Sequence, residues 1–412
     1  MKTKIENILN FNRMPAGNVI VLLPIIFAAA NLLRMITGSN LLYFVTMISA
    51  GMAGGVLVLC RQILYRDRIQ AIVIAAVFML FGACNLLFVG NVDAGSLITE
   101  LMMFGMAFLL LSYPHNTRSG EITFYGFVLL YAVYWVLGID PKEIMRSSNN
   151  YISVILLMAV FFYYTALERS GGKIDSVRKV LPAVLCVVMA GWARGRAGIL
   201  AFGFLLAGIA VLYLCQAAAA KKVIAWGKKI LTSGDRKKIA MVACGALVVV
   251  VVAILLLVKL GVFKFLLGKF ITRGFNNIRP QLWGEYIAHS FSSIGNLLLG
   301  TPLEEVALAN KFEGNLHNSF LQIHADHGLI VFLLMVYLLV VAVLYYKKKK
   351  MYVHLLVLGT FIIRGMFDKF ISMQYGMLIL AYFMLYPFVP RLLPRSNKND
   401  PRKVGDSLEN GK

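Results

Sequence analysis

Carboxylates are scarce in this chain, with 19 Asp and Glu against 41 Lys and Arg in 412 residues. Charge of either sign makes up only 15% of the sequence while 59% is hydrophobic, a balance that excludes an ordinary soluble globule. Cysteine is nearly absent: Cys60, Cys84, Cys186, Cys215 and Cys244 stand singly in apolar stretches with no CxxC pair. That excludes a disulfide framework and a cysteine metal site. There is no GxxxxGK[ST] phosphate loop, no GxGxxG and no internal repeat. A cleavable signal is not expected either, because MKTKIENILNFNRMPAG leads into a full apolar run without a small-residue cleavage pattern behind it.

What the chain has is one long apolar run after another. A helical span needs about 20 largely apolar residues, and twelve candidates are centred near residues 27, 50, 80, 104, 130, 159, 186, 207, 251, 332, 359 and 381. The expected fold class is therefore an all-α polytopic membrane protein. A cytoplasmic segment 1–17 would precede a transmembrane domain 18–390, and 391–412 would form a disordered cytoplasmic tail. With the N-terminus inside, the inward segments carry 28 of the 41 Lys and Arg and the outer ones 11, which puts both termini in the cytoplasm. The +22 charge does not point to nucleic acid. Its clusters, such as KKKK at 347–350, sit at span ends, where they signal topology and meet anionic headgroups.

Polar chemistry collects in the outer segments. The loop IDPKEIMRSSNNYIS (139–153) runs Arg146, Ser147, Ser148, Asn149 and Asn150 into the sixth span, more polar residues than capping a helix requires. Between the seventh and eighth spans, GWARGRAGILAF (191–202) turns tightly, with Arg194 and Arg196 flanking Gly195. With almost no loop to carry them into water, these arginines must face protein, headgroup phosphate or ligand, and an Arg fork matches a pair of anionic oxygens. The one long outer segment, about 263–317, follows the ninth span, and long loops are usually functional. It holds Arg273. Further on, Pro280 suits a first helical turn, and Trp283, Ile287, Phe291, Ile294 and Leu298 recur at helical spacing. Arg279 then stands at the positive helix N-terminus, where an anion binds. Arg34 is expected to snorkel outward from the first span, and Arg364 to pair with Asp368 or join the outer arginines.

The loop returns through EGNLHNSFLQIHADHGLIV (313–331). On a helix, His317, Leu321, His324 and Gly328 make one stripe, with Gly328 admitting a second backbone and His317 and Asn318 at the helix mouth. Metal ligation by His324, Asp326 and His327 is not expected, since Asp326 points away from His317 and two imidazoles with one carboxylate make a weak ligand set. Glu285, Glu304, Glu305 and Glu313 are loop carboxylates, solvated by default, of which one is a candidate partner for His317 Nδ1. No ATP reaches an outer face, so chemistry there needs a substrate activated beforehand. A sugar on a polyprenyl diphosphate is the obvious class. Arginines would hold the diphosphate as charge grows on it, and a histidine beside the acceptor hydroxyl would take its proton.

His317-Asn318, nine residues, Gly328, two more and Val331 fit the pattern H-[NSQ]-x9-G-x-x-[GTV]. Other matching features are the outer arginine after the seventh span, Arg279 shortly before Trp283, and the Asn-bearing start of the sixth span. On these the chain resembles the bacterial O-antigen ligases and, more loosely, the O-antigen and capsule polymerases, over roughly 140–332. The resemblance implies a glycosyltransferase C-like fold of about twelve transmembrane helices in a bacterial cytoplasmic membrane, with a long outer loop between helices 9 and 10. It implies an inverting, metal-independent transferase without a cofactor. His317, Arg279 and Arg196 would be catalytic, and Arg194, Arg146, Asn149, Asn150, Asn318 and Arg273 substrate-binding. The implied partners are a polyprenyl-diphosphate-linked glycan, an acceptor glycan, the bilayer, a flippase and a chain-length regulator. RGR stands where the family more often shows Ser-Arg, and Arg196 is preferred as the counterpart because it directly precedes the eighth span.

Two outcomes fit that chemistry: a polymerase that extends lipid-linked repeat units, and a ligase that moves a finished glycan to a terminal acceptor. A polytopic transporter or lipid flippase is the rival of another class. Such proteins keep ionisable groups at the bilayer midplane, whereas the span centres here read as nearly free of charge.

Overall fold

A backbone in hydrocarbon has no partner but itself, so uncharged runs of Leu, Ile, Val, Phe and Ala become helices. The computed structural model describes residues 15–65, 69–112, 116–145, 150–217, five single positions between 222 and 232, 278–371 and 374–389. It contains no strand among the described residues. In order come α1 (Pro15–Thr37), α2 (Leu41–Tyr65), α3 (Ile69–Phe88), α4 (Ala94–Ser112), α5 (Thr117–Val136), the short α6 (Pro141–Met145), α7 (Asn150–Arg169), α8 (Val177–Trp192) and α9 (Arg196–Gln216). Then follow α10 (Arg279–Ser290), α11 (Ile294–Leu299), α12 (Ala307–Lys311), α13 (Ser319–Lys348), α14 (Tyr352–Gly365) and α15 (Gln374–Leu385).

Six helices are long and apolar enough to cross a membrane: α3, α4, α7, α9, α13 and the stretch Leu41–Leu59 of α2. Shorter apolar helices cover Leu22–Arg34, Tyr352–Gly365 and Tyr375–Phe388. The chain is thus an all-helical protein of polytopic membrane type. Eleven of the twelve candidate span centres fall inside helices, and the one near 251 lies outside the described residues.

Burial separates the central helix from the peripheral ones. α7 is apolar on all sides and buried without interruption from Ile152 to Leu167, as expected for a helix enclosed by others. α5, α8, α14 and α15 pack around it. α3, α9 and α13 are mostly uncovered, and Leu80, Leu87, Leu333 and Val340 project outward from two of them.

The helix ends sort into two sets. At one end Arg364 donates to Ser153 Oγ (3.1 Å) and to the Asn150 carbonyl (3.2 Å), while Ser319 Oγ donates to the Asp368 carbonyl (2.5 Å). That brings together the starts of α7 and α13 and the end of α14. At the other end Glu168 accepts from the amides of Val353 and His354 at the start of α14 and from His354 Nδ1, and Arg169 donates to the carbonyls of Leu110 and Leu111.

α13 is interrupted at Gly328 (φ 78°, ψ −178°). A break takes carbonyls out of the helical ladder, and a buried carbonyl must find another donor. Ala325 O accepts from Asn85 Nδ2 (2.7 Å) and Asn91 Nδ2 (2.8 Å), which also donate to the carbonyls of Leu299 and Thr301. A Cβ on Gly328 would lie 1.9 Å from the Leu298 carbonyl oxygen, so the glycine lets the α11 backbone close on α13. The stripe itself differs from expectation. Asn318 is the N-cap of α13, and His317 lies before the helix with φ 49°, off the face that carries Leu321 and His324.

The segment 278–317 packs a small separate core of Leu282, Tyr286, Leu303, Val306, Ala309 and Leu316 against Ala325 of α13. α10 starts at Arg279 with Pro280 in its first turn, as the sequence indicates, but Leu282, Tyr286 and Ser290 form its buried face. Ile287, Phe291, Ile294 and Leu298 are exposed. Both series have helical spacing. The packing is decided by Tyr286, whose hydroxyl bonds His324 Nδ1 (2.5 Å), and Ser293 caps a new helix that ends the expected stripe. Trp283 is half-buried and donates Nε1–H to the Leu316 carbonyl (2.9 Å).

Candidate functional site

The end of the bundle that holds the starts of α7, α9, α10 and α13 also holds most of the sequence-predicted site. His317 reaches it from a left-handed backbone position, which costs a non-glycine residue about 1–3 kcal/mol and persists only where its surroundings enforce it. Here they do: the His317 amide donates to Asn315 Oδ1 (2.8 Å), and the ring packs edge-on against Phe312 with centroids 5.4 Å apart. His317 Nδ1 faces Asp368 Oδ1 at 3.8 Å, too long for a hydrogen bond, and makes no hydrogen bond itself.

Asp368 also accepts from Arg364 Nη2 through Oδ2 (2.9 Å). Arg364 is fully buried, its guanidinium over the Phe370 ring at 5.6 Å, with Nη1 bonded to nothing among the described residues. Burial pushes the Asp368 carboxyl up, but His317 and Arg364 outweigh it and hold the group below the ordinary carboxylate range. A carboxyl depressed in the fold adds stability that is complete above its unfolded pKa and disappears as pH falls through the lower folded value. Asp368→Asn is therefore expected to lower the thermal midpoint at neutral pH. The gap from wild type should close only in acid below the usual carboxylate range, as thermal unfolding in detergent across pH would show.

Arg279 is half-buried at the start of α10. Desolvation lowers its pKa, with Arg196 and Arg364 adding to the drop and Asp368 opposing it. Arg279, from α10, is therefore an electrostatic neighbour of Arg196 on α9, of Arg364 on α14 and of Asp368. Of the two arginines in the tight turn, Arg196 is half-buried as the first residue of α9, whereas Arg194 is exposed at φ 52°. Asn150 begins α7, and its Oδ1 lies 3.4 Å from where a Cβ on Gly195 would stand. Asn318 Oδ1 accepts from the amides of Phe320 and Leu321, which accounts for that side chain as a cap. Arg146, Asn149 and Arg273 lie outside the described residues.

Other residues are placed differently from their sequence reading. Arg34 turns its guanidinium over the Tyr43 ring (5.1 Å) and is half-buried. The snorkelling expectation fails because this arginine has an aromatic partner inside the bundle. None of the four loop glutamates partners His317, and Glu285 accepts from the Leu308 amide instead. The partner is Asp368, which also pairs with Arg364 as the sequence suggests. The spans are also not free of charge. His327 Nε2 meets Glu100 Oε2 at 2.9 Å, both buried, beside the break at Gly328. Glu100 is visible in the apolar run of α4, but nothing in the sequence points to its partner. His324, Asp326 and His327 each have a separate partner, and among the described residues no three His, Cys, Asp or Glu are grouped to hold a metal ion.

No family model, no curated protein and no solved structure matches the chain.

Proposed function

We propose that this protein is a membrane glycosyltransferase that moves a glycan from a polyprenyl diphosphate carrier to an acceptor sugar hydroxyl on the extracytoplasmic face. In this reading it polymerises O-antigen, capsule or exopolysaccharide repeat units. Ligase-type transfer of a finished glycan is the close alternative. The observation that carries the proposal is the Arg364–Asp368 ion pair with His317 Nδ1 at 3.8 Å from the carboxylate's other oxygen, and Arg279 within electrostatic reach of Asp368, Arg364 and Arg196. Like charges at a desolvated site repel, and an anion with several oxygens relieves them.

The chemistry follows from the placement. His317 Nδ1 is turned to Asp368, so Nε2 is the nitrogen left for the acceptor hydroxyl. It takes the hydroxyl proton while the oxygen attacks the anomeric carbon from the face opposite the diphosphate. The sugar–phosphate bond breaks with inversion, the electron pair leaves on the diphosphate, and the arginines stabilise the charge gathered there. Asp368 steadies the imidazolium. The proposal includes twelve spans, both termini in the cytoplasm, and a bacterial inner membrane.

One observation favours a transporter as the second reading: the buried His327–Glu100 pair beside an interrupted helix is an arrangement transporters use. Purified protein in vesicles with native lipid-linked repeat units separates the readings. A ladder of lengthened chains supports the polymerase, and a single addition to a different acceptor the ligase. Substrate that crosses the bilayer unchanged, with no transfer, would overturn the proposal.

A further inference from the structure

A cavity of about 280 Å³ is lined by Asn91, Glu304, Asn310, Glu313 and Lys369, with Leu303 and Gly314 at its apolar side. It adjoins the seam of the site. Gly314 stands three residues before His317, Phe312 packs on the histidine ring, and Lys369 directly follows Asp368. The site thus has two unlike flanks: guanidinium groups in electrostatic reach of one another and of Asp368, and a cavity of carboxylates, carboxamides and one ammonium joined to His317 and Asp368 along the chain through Gly314 and Lys369.

The second flank has the chemistry of a sugar. Asn91 is committed to the Thr301 and Ala325 carbonyls and the Leu303 amide, but the carboxylates and the Asn310 carboxamide can exchange hydrogen bonds with vicinal hydroxyls, and an apolar patch from Leu303 suits the C–H face of a ring. Drug-sized ligands occupy roughly 300–1,000 Å³, so this cavity admits about one pyranose ring. Its charge is selective. Glu304 and Glu313 outnumber Lys369, whose ammonium also acts on the buried carboxyl of Asp326. A ligand carboxylate would meet net repulsion there, while a neutral or amino-bearing ring would not.

We propose that this cavity holds the terminal monosaccharide of the acceptor glycan and selects a neutral or amino sugar over a uronic acid. The proposal rests on the transfer reading for the word acceptor, but sugar binding by the cavity does not. It also explains the division of labour at the seam: the leaving diphosphate sits on the arginine flank, and the incoming hydroxyl approaches His317 from the glutamate flank.

Two measurements on full-length protein in detergent test it, using Glu304→Gln/Glu313→Gln as one variant and Asn310→Ala as another. Both glutamates and Asn310 are exposed, so the fold should survive, and an unchanged thermal midpoint verifies that. Saturation-transfer NMR with methyl glycosides of a hexose, a hexosamine and a hexuronic acid reads binding without turnover. Wild type should bind the first two and discriminate against the third, and the double variant should lose roughly tenfold or more for hexosamine and most of the discrimination. In the transfer assay, acceptor KM should rise by a similar factor while donor KM stays within about twofold.

Unchanged sugar binding and unchanged acceptor KM in both variants would overturn the inference and leave the transferase reading intact. Sugar binding that the double variant loses, in a protein that transfers no glycan, would do the reverse. The cavity would stand as a saccharide site and the transferase reading would fall.

Discussion

His317→Ala is expected to lower glycan transfer by about 10²- to 10⁴-fold, the range for removing a general base, with the protein still present in the membrane. Arg279→Ala is expected to lower it by about 10²- to 10³-fold, the cost of removing one donor that stabilises developing charge. The two losses should differ in kind. The histidine variant should keep its donor KM and lose turnover, because in the proposed reaction His317 touches only the acceptor proton. The arginine variant should lose both, because in that proposal Arg279 holds the diphosphate before and during bond breaking. Arg279→Lys should recover only part, since an ammonium lacks the fork that binds two oxygens at once. Arg194→Ala is the control: its side chain is exposed outside the cluster and should change transfer by no more than a few fold. Initial rates in vesicles with the variants at equal protein would check all four, and wild-type-like turnover for His317→Ala or Arg279→Ala would remove that residue's role.

The second large effect is on stability. Gly328→Val is expected to prevent accumulation of folded protein. The residue has φ 78° and ψ −178°, a region essentially restricted to glycine where a Cβ costs about 1–3 kcal/mol on its own, and that Cβ would sit 1.9 Å from the Leu298 carbonyl oxygen and 2.9 Å from the Leu299 Cα. Those are backbone atoms of α11 and cannot rotate away. Relief requires α11 to lift off α13, which would also break the Asn85 bonds to the Leu299 and Ala325 carbonyls. Gly328→Ala should fail for the same reason. Gly126, in the middle of α5 with open space around it, is the matched control. Its replacement by Ala should be neutral or gain up to about 1 kcal/mol from helix propensity. Fluorescence-detected size exclusion after heating would rank the three variants.

Much of the framework is legible in the sequence because it is local. Apolar runs place eleven helices, Pro280 marks the start of α10 with Arg279 at its end, and Asn318 before Ser319 announces the α13 cap. Gly328 in an apolar run signals a close approach, although the approaching partner, α11, is not identifiable from spacing. What stays hidden is pairing over distance. Asp368 lies 51 residues beyond His317, and periodicity says nothing of which carboxylate a loop histidine will face. Glu100 and His327 are 227 residues apart and come together only because α3, α4 and α13 pack side by side. The buried face of α10 was ambiguous for a different reason. Leu282–Tyr286 and Trp283–Ile287 are both spaced four apart, and the choice was made by a hydroxyl, on Tyr286, that had a histidine to meet. Arg34 turned inward because Tyr43 follows it across a short turn in space that the sequence does not draw.

The claim beneath all of this is that the cluster of Arg196, Arg279 and Arg364 exists to hold a diphosphate. Equilibrium binding of a polyprenyl diphosphate to the purified protein, against the matching polyprenol without phosphate, tests it without requiring turnover. The account predicts tight binding of the diphosphate, weak binding of the alcohol, and loss of the difference in Arg279→Ala and in Arg196→Ala. Equal affinity for the two lipids in wild type, or a preference that survives both substitutions, would contradict it.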